Sequence, residues 1–222
     1  MLEDLHWAGL AWQEGPEVGG PCAPYRQSER SELYEKAFRQ LAATGAIYPC
    51  ACSRADVRRA LAAPHADEPR EAIYSGTCRP AELTPVADPA LTGINWRFRT
   101  TLAEKIEFTD GRAGQQGFVA GRDFGDFLVW RKDGIPAYEL AVVVDDAAMR
   151  ITEVVRGEDL LESTARQLLL YRARALPPPA WFHAPLVRDA ATGQRLAKRD
   201  GALSLRALRL AGKIPDELFA DA

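Results

Sequence analysis

The chain has 222 residues, 47% of them hydrophobic, and 28 Lys and Arg against 31 Asp and Glu give a net charge of -3. That length buries a sizeable core in one domain with an insertion or in two small ones, and the charge balance rules out a bulk electrostatic grip on nucleic acid. No apolar run approaches the roughly 18 residues of a membrane helix, and the acidic N-terminus with its His and Trp is unlike a signal peptide, so a cytoplasmic protein without membrane contact is expected.

Residues 1–25 combine Leu5, Trp7, Leu10 and Trp12 with a Gly/Pro-rich tract, Gly15-Pro16 and Gly19-Gly20-Pro21, and read as an edge or tail of something larger rather than a domain's natural start. A helix is predicted from Glu29 to Thr44, with Leu33, Ala37, Phe38 and Leu41 at helical spacing, Ser28 or Ser31 as N-cap and Gly45 as stop. The polar run Tyr25 to Arg30 that leads into it is expected to cap the helix rather than line a cleft.

Four cysteines, Cys22, Cys50, Cys52 and Cys78, are too few and too irregular for a secreted disulfide framework. Cys50 and Cys52 lie two apart, so in an extended segment both sulfurs face one ion. With Cys78 they make three of the four ligands of a structural zinc site. By metal chemistry alone His65 is the favoured fourth, and the bland alternative is three buried thiols.

From Glu82 to Arg122 two strands are expected, Ile94 to Arg99 and Ile106 to Gly111, after which Gly114, Gly117 and Gly121 loosen the chain. Three β-like runs follow: Phe127 to Trp130, Tyr138 to Val144 and Ile151 to Val155. The second, apolar without alternation and closed by Asp145-Asp146, reads as a strand buried on both faces that emerges at the carboxyl edge of a sheet, where ligands collect. Tyr138 stands at its start. Arg156 ends the third run, where a guanidinium can grip a carboxylate or phosphate by two hydrogen bonds.

A capping-box spacing at Thr164 to Gln167 opens a crossover helix stopped by Pro177, Pro178 and Pro179, and Trp181 to Val187 is the returning strand. A basic turn, Arg195 to Arg199, and a short amphipathic helix end the chain. Arg54, Arg58, Arg59, Arg70 and Arg79, and then Arg195, Lys198, Arg199, Arg206 and Arg209, are the two local basic sets that could meet RNA or simply be solvated.

Five stretches together carry a resemblance: AYELAVVVDD, ITEVVRGEDLLESTARQLLLYRA, the C-x-C near residue 50, the Y-x-x-x-C of Tyr74 to Cys78, and RLAKRDGALSLRALR. Over nearly the whole chain the sequence resembles the class I glutamyl-tRNA synthetase-like family, and within it the short members that lack an anticodon-binding domain. The resemblance implies an α/β fold, a partial Rossmann-type nucleotide-binding core. Residues 1–48 would be the first part of that core, 49–122 an inserted zinc-binding and β-rich subdomain of acceptor type, and 123–222 the second half of the core.

It further implies ATP-dependent activation of L-glutamate and transfer to queuosine in the anticodon of tRNA(Asp), by a monomer. ATP with Mg2+ would be a substrate and Zn2+ a structural ion. Tyr138 and Arg156 would contact glutamate, and Tyr74 would complete the zinc set of Cys50, Cys52 and Cys78. Lys198 matches the second lysine of a KMSKS-type loop and would bind ATP and act in catalysis by offsetting charge on the leaving pyrophosphate. Arg195, Ala197 and Arg199 depart from that motif, so charge is kept and hydroxyls are lost. The family's HIGH signature is not found in the sequence, so this polypeptide alone is expected to exchange pyrophosphate into ATP weakly or not at all. A shortened glutamyl-tRNA synthetase and a non-catalytic, zinc-bearing RNA-binding module are the alternatives.

Overall fold

The computed structural model describes residues 2–53, 55–57, 73–186 and 204–215. They fall into two units, one formed by Met1–Tyr25 with Pro185–Ala222 and the other by Arg26–Ala184. In the first, α1 (Leu2–Trp7) is tied to α5 (Leu205–Leu210) by Arg209, whose guanidinium donates to Asp4 at 2.9 Å and Glu3 at 3.0 Å.

The second unit runs α2 (Ser31–Ala43), β1 (Ile47–Cys50), β2 (Asn95–Phe98), β3 (Lys105–Asp110), β4 (Gly114–Val119), β5 (Phe127–Trp130), α3 (Tyr138–Ala148), β6 (Glu153–Gly157), α4 (Leu161–Ala173) and β7 (Ala180–Ala184). Among the described residues its strands form two sheets. One is antiparallel, in the order β1-β2-β5. The other is mixed, in the order β4-β3-β7-β6, with an antiparallel β3/β4 hairpin and parallel pairing of β7 with both β3 and β6. The β6-α4-β7 segment is thus a parallel crossover, as the spacing predicts. Among the described residues no helix is long and apolar enough to cross a membrane.

Helix α2 buries Tyr34, Ala37, Phe38, Leu41 and Ala42, and Phe38 stacks on Trp130 with ring centroids 4.7 Å apart while meeting Trp96 edge-on at 5.4 Å. The helix stops at Gly45, whose φ of +73° is the left-handed conformation that lets its amide and that of Ala46 return to the carbonyls of Ala42 and Leu41. Neither serine caps its start. Arg30 holds the N-cap position but its side chain makes no capping bond, because the polar run before the helix turns instead toward Asp145.

The largest correction is α3. The run Tyr138 to Val144 is helical, not a strand, and it continues through both aspartates to Ala148. A continuous apolar stretch does not distinguish a buried strand from a buried helix, and here Leu140, Ala141, Val143 and Val144 are buried with Ala147 packed against the same core. That burial outweighs the modest helical penalty of three β-branched valines. Two smaller corrections follow the same logic. Gly114 and Gly117 do not loosen the chain but lie in β4, paired residue for residue with β3, whereas Gly121 falls in the turn beyond it. Helix α4 starts at Leu161, so Thr164 lies within it rather than at its cap.

Candidate functional site

Arg156 lies on β6 directly across from His183 on β7. Its Nε donates to His183 Nε2 at 3.0 Å, and its Nη2 donates to the Thr164 hydroxyl of α4 at 2.6 Å. His183 is completely buried, and its Nδ1 sits 2.6 Å from Oδ2 of Asp110 at the end of β3. These contacts fix the imidazole's tautomer. Arginine has no acceptor atom, so Nε2 must accept, and the ring proton must stand on Nδ1 and point to Asp110. Burial alone would raise the Asp110 carboxyl, but the amides of Ala113, Arg112 and His183 and the imidazole hold it down to about 2. An ionised aspartate thus orients a neutral histidine, and the histidine orients the arginine.

Tyr138, at the first turn of α3, is half exposed rather than core-packed. Burial pushes its hydroxyl up, and the neighbouring Arg156 guanidinium, acting by charge and hydrogen bond, opposes the shift. Asp146, two turns further along α3, is pushed up to about 6 by burial, with Arg156 lowering it and Asp145 raising it. The structure therefore brings Tyr138 and Arg156 together and adds Asp146 to their neighbourhood.

The raised Asp146 carboxyl has a measurable consequence. It binds its proton more tightly in the folded chain than in the unfolded one, so its contribution favours folding below the ordinary value of 3.8 and is lost as pH rises through about 6. The loss has a slope of at most about 1.4 kcal/mol per pH unit. Asp146→Asn is expected to match the parent below pH 4 and to exceed it in urea unfolding midpoint at pH 7; equal midpoints at both would show that Asp146 carries no such cost.

A cavity of about 900 Å³ adjoins this region, lined at one end by Tyr138, Glu139, Ser163 and Arg166 and at the other by Cys52 and Tyr74. Arg97, Arg131 and Lys132 give it a cationic wall, and Asp126, Asp133 and Glu139 interrupt that wall. Arg156 is not among its lining residues, but its neighbour Tyr138 is.

Cys50, Cys52 and Cys78 bring their sulfurs within 4.8 Å of one another. The Tyr74 hydroxyl lies 3.4 Å from Cys50 Sγ and 3.7 Å from Cys52 Sγ, and Cys52 and Cys78 are 3.5 Å apart. A tetrahedral thiolate site with metal–sulfur bonds of about 2.3 Å has ligand–ligand edges of about 3.8 Å, so this donor set fits an ion in both chemistry and spacing. Burial would raise the Cys78 thiol, but its interaction with Tyr74 and the amide of Ala51 hold it down to about 7, whereas burial pushes Cys52 up. The knuckle is anchored by Asp126, which accepts from Tyr48 at 2.7 Å, from Arg79 at 2.7 Å and from the amide and hydroxyl of Thr100 at 2.9 Å. Arg79 is thereby an internal tie rather than part of a basic patch.

His65 and Lys198 lie outside the described residues, as do Arg54, Arg58, Arg59, Arg70, Arg195 and Arg199. The residues that sequence reasoning missed are Asp110, Thr164, His183 and Asp146. His183 and Asp110 carry no local signal, since they meet only when β7 aligns beside β3; Asp145-Asp146 was visible as a pair, but on the wrong element.

A family model described as tRNA synthetases class I (E and Q), catalytic domain, matches residues 1–220. The chain is 50% identical over 218 residues to a glutamyl-Q tRNA(Asp) synthetase of Symbiobacterium thermophilum, an alignment covering 97% of this chain and 66% of that protein. It is 46% identical over 213 residues to the enzyme of the same name from Nitratidesulfovibrio vulgaris, covering 96% and 65%. Its fold is similar to the crystal structure of the glutamate-tRNA synthetase from Elizabethkingia anophelis, with a TM-score of 0.71 and 29% identity over 90% of this chain and 42% of that one. The chain thus spans just under two thirds of the length of the curated relatives it matches.

Proposed function

Because this chain belongs to the class I glutamyl- and glutaminyl-tRNA synthetase catalytic-domain family, we propose that it activates glutamate with ATP and transfers it to queuosine in the anticodon of tRNA(Asp). The observation that supports the amino-acid half of this reading is the oriented arginine. With Nε committed to His183 and Nη2 to Thr164, the guanidinium edge that faces Tyr138 is the one we assign to a carboxylate, by charge-assisted hydrogen bonds. The Tyr138 hydroxyl beside it supplies a second polar contact, and Asp146, near enough to Arg156 to feel its charge, is the carboxyl we assign to the ligand's ammonium.

Attack of the glutamate carboxylate on the ATP α-phosphate needs no protein nucleophile. It needs the carboxylate held still and the departing pyrophosphate neutralised. Arg156 and Tyr138 serve the first need, and Lys198, by its match to the KMSKS-type loop, the second. ATP enters with Mg2+ as substrate. Cys50, Cys52, Cys78 and Tyr74 would hold zinc, which when bound supplies a structural clamp on the loop beside the cavity. We take the protein to act as a cytoplasmic monomer.

The choice of tRNA(Asp) is supported by the names of the two curated relatives, which are 50% and 46% identical to the chain. The second reading, glutamylation of tRNA(Glu), is favoured by the fold's similarity to that synthetase. Labelled glutamate, ATP and the purified chain should be incubated with tRNA(Asp) carrying queuosine, tRNA(Asp) lacking it, and tRNA(Glu). Label confined to queuosine-containing tRNA(Asp), accumulating slowly because this polypeptide alone is expected to form adenylate weakly, is the expected result. Label on tRNA(Glu) alone would replace the first reading with the second, and label on none would return the chain to a non-catalytic role.

A further inference from the structure

Strand β2 sends the guanidinium of Arg97 into the cysteine knuckle. The side chain is buried, with 7% of the residue exposed. Its Nε donates to Cys50 Sγ at 3.3 Å, its Nη1 donates to the Asp126 carbonyl at 2.9 Å, and its central carbon lies 3.9 Å from the centroid of the Tyr74 ring. One group therefore touches two of the four donors, a sulfur by hydrogen bond and a phenol by its face. The register that pairs Arg97 with Tyr48 on β1, two residues before Cys50, makes this contact a property of the sheet.

We propose that Arg97 is a positioning residue of the metal centre, its fixed charge and planar fork holding Cys50 and Tyr74 in ligating geometry and offsetting the negative charge they bring. The inference rests on the reading of the knuckle as a metal site. A divalent ion bound by three thiolates and a phenolate leaves a net charge of two minus, and a buried uncompensated charge is costly. A guanidinium is always charged, so it supplies one counter-charge whatever the pH. Its flat face suits the Tyr74 ring as a cation–π partner, and an N–H to a ligating sulfur is the kind of outer contact that orients ligands and tunes a metal. Lysine, a point charge on a flexible stem, cannot lie on the ring and donate to the sulfur at once.

The test is zinc affinity, by competition with a chromophoric chelator, for the parent chain, Arg97→Lys and Arg97→Gln, with thermal unfolding of each in the zinc-loaded and zinc-free states. The neutral variant is expected to bind zinc about 10- to 100-fold more weakly, with Arg97→Lys in between. The rise in Tm on zinc binding is expected to shrink in the same order. Equal affinities in all three overturn the proposal, as does a loss of Tm that is the same with and without zinc, which marks a purely structural arginine. If Arg97→Gln does not fold, Arg97→Lys decides alone, and an affinity equal to the parent's overturns the proposal. A parent chain that takes up no zinc sinks the metal reading itself, and the proposal with it.

Discussion

Asp145→Ala is expected to lower the unfolding free energy by about 3–5 kcal/mol, the range for removing one partner of a buried ion pair. Asp145 on α3 accepts from Arg30 Nε at 2.7 Å, from the Tyr34 hydroxyl at 2.9 Å to each oxygen and from Gln27 at 2.9 Å. The Arg30 and Asp145 side chains are 2% and 12% exposed, so water cannot replace the lost carboxylate. The cluster ties α2 and the turn before it to α3, the helix that presents Tyr138. A paired replacement, Arg30→Met with Asp145→Leu, is expected to recover much of the loss, since an apolar pair of similar volume is often as stable as a buried ion pair. Chemical denaturation of the three proteins checks both expectations, and a loss under about 1 kcal/mol in the alanine variant would reduce the cluster to a surface-type ion pair.

Arg156→Ala is expected to weaken glutamate binding by about 30-fold to a few thousand-fold, corresponding to the 2–5 kcal/mol typical of truncating one side of a buried, hydrogen-bonded charge pair. His183→Phe leaves the guanidinium in place but removes the acceptor that aims it, and is expected to cost about 10- to 100-fold, the range of one hydrogen bond to a charged group. The two effects should not add, because the histidine acts through the arginine. Calorimetric titration of glutamate into each variant and into the double variant measures this directly. Unchanged binding in Arg156→Ala would remove glutamate from this corner of the fold.

Local pattern carries information only about neighbours in sequence, and the legible parts of the chain divide accordingly. The helix Ser31–Ala43 and the strands at residues 95–98 and 105–110 emerge close to their predicted places because their apolar residues repeat at the period of the element they form, and the short run at 127–130 because the Asp133-Gly134 turn bounds it. Arg156 was readable because a cation at a strand's end has a recognisable use. The helix at Tyr138–Ala148 was not, because a fully buried helix and a fully buried strand write the same apolar run, and the valines tip the balance the wrong way. Nor were the contacts that make the corner work. Asp110 and His183 are 73 positions apart, and Arg30 and Asp145 are 115 apart. No window of sequence contains both members of either pair. Among the candidate metal donors, Tyr74 was suggested by family resemblance and not by metal chemistry, which favours an imidazole.

The parallel alignment of β7 between β3 and β6 fixes the order in which the corner can be assembled during synthesis. Asp110 and Arg156 leave the ribosome before His183, the residue that joins them, so the link between them is missing until the last described strand of this unit threads between two strands already made. Sequence-distant pairings of this kind form late because the intervening chain must first be ordered. A nascent chain can therefore possess its first sheet and its helical core before the histidine that aims its arginine is in place, and the corner is complete only at the closing step of folding.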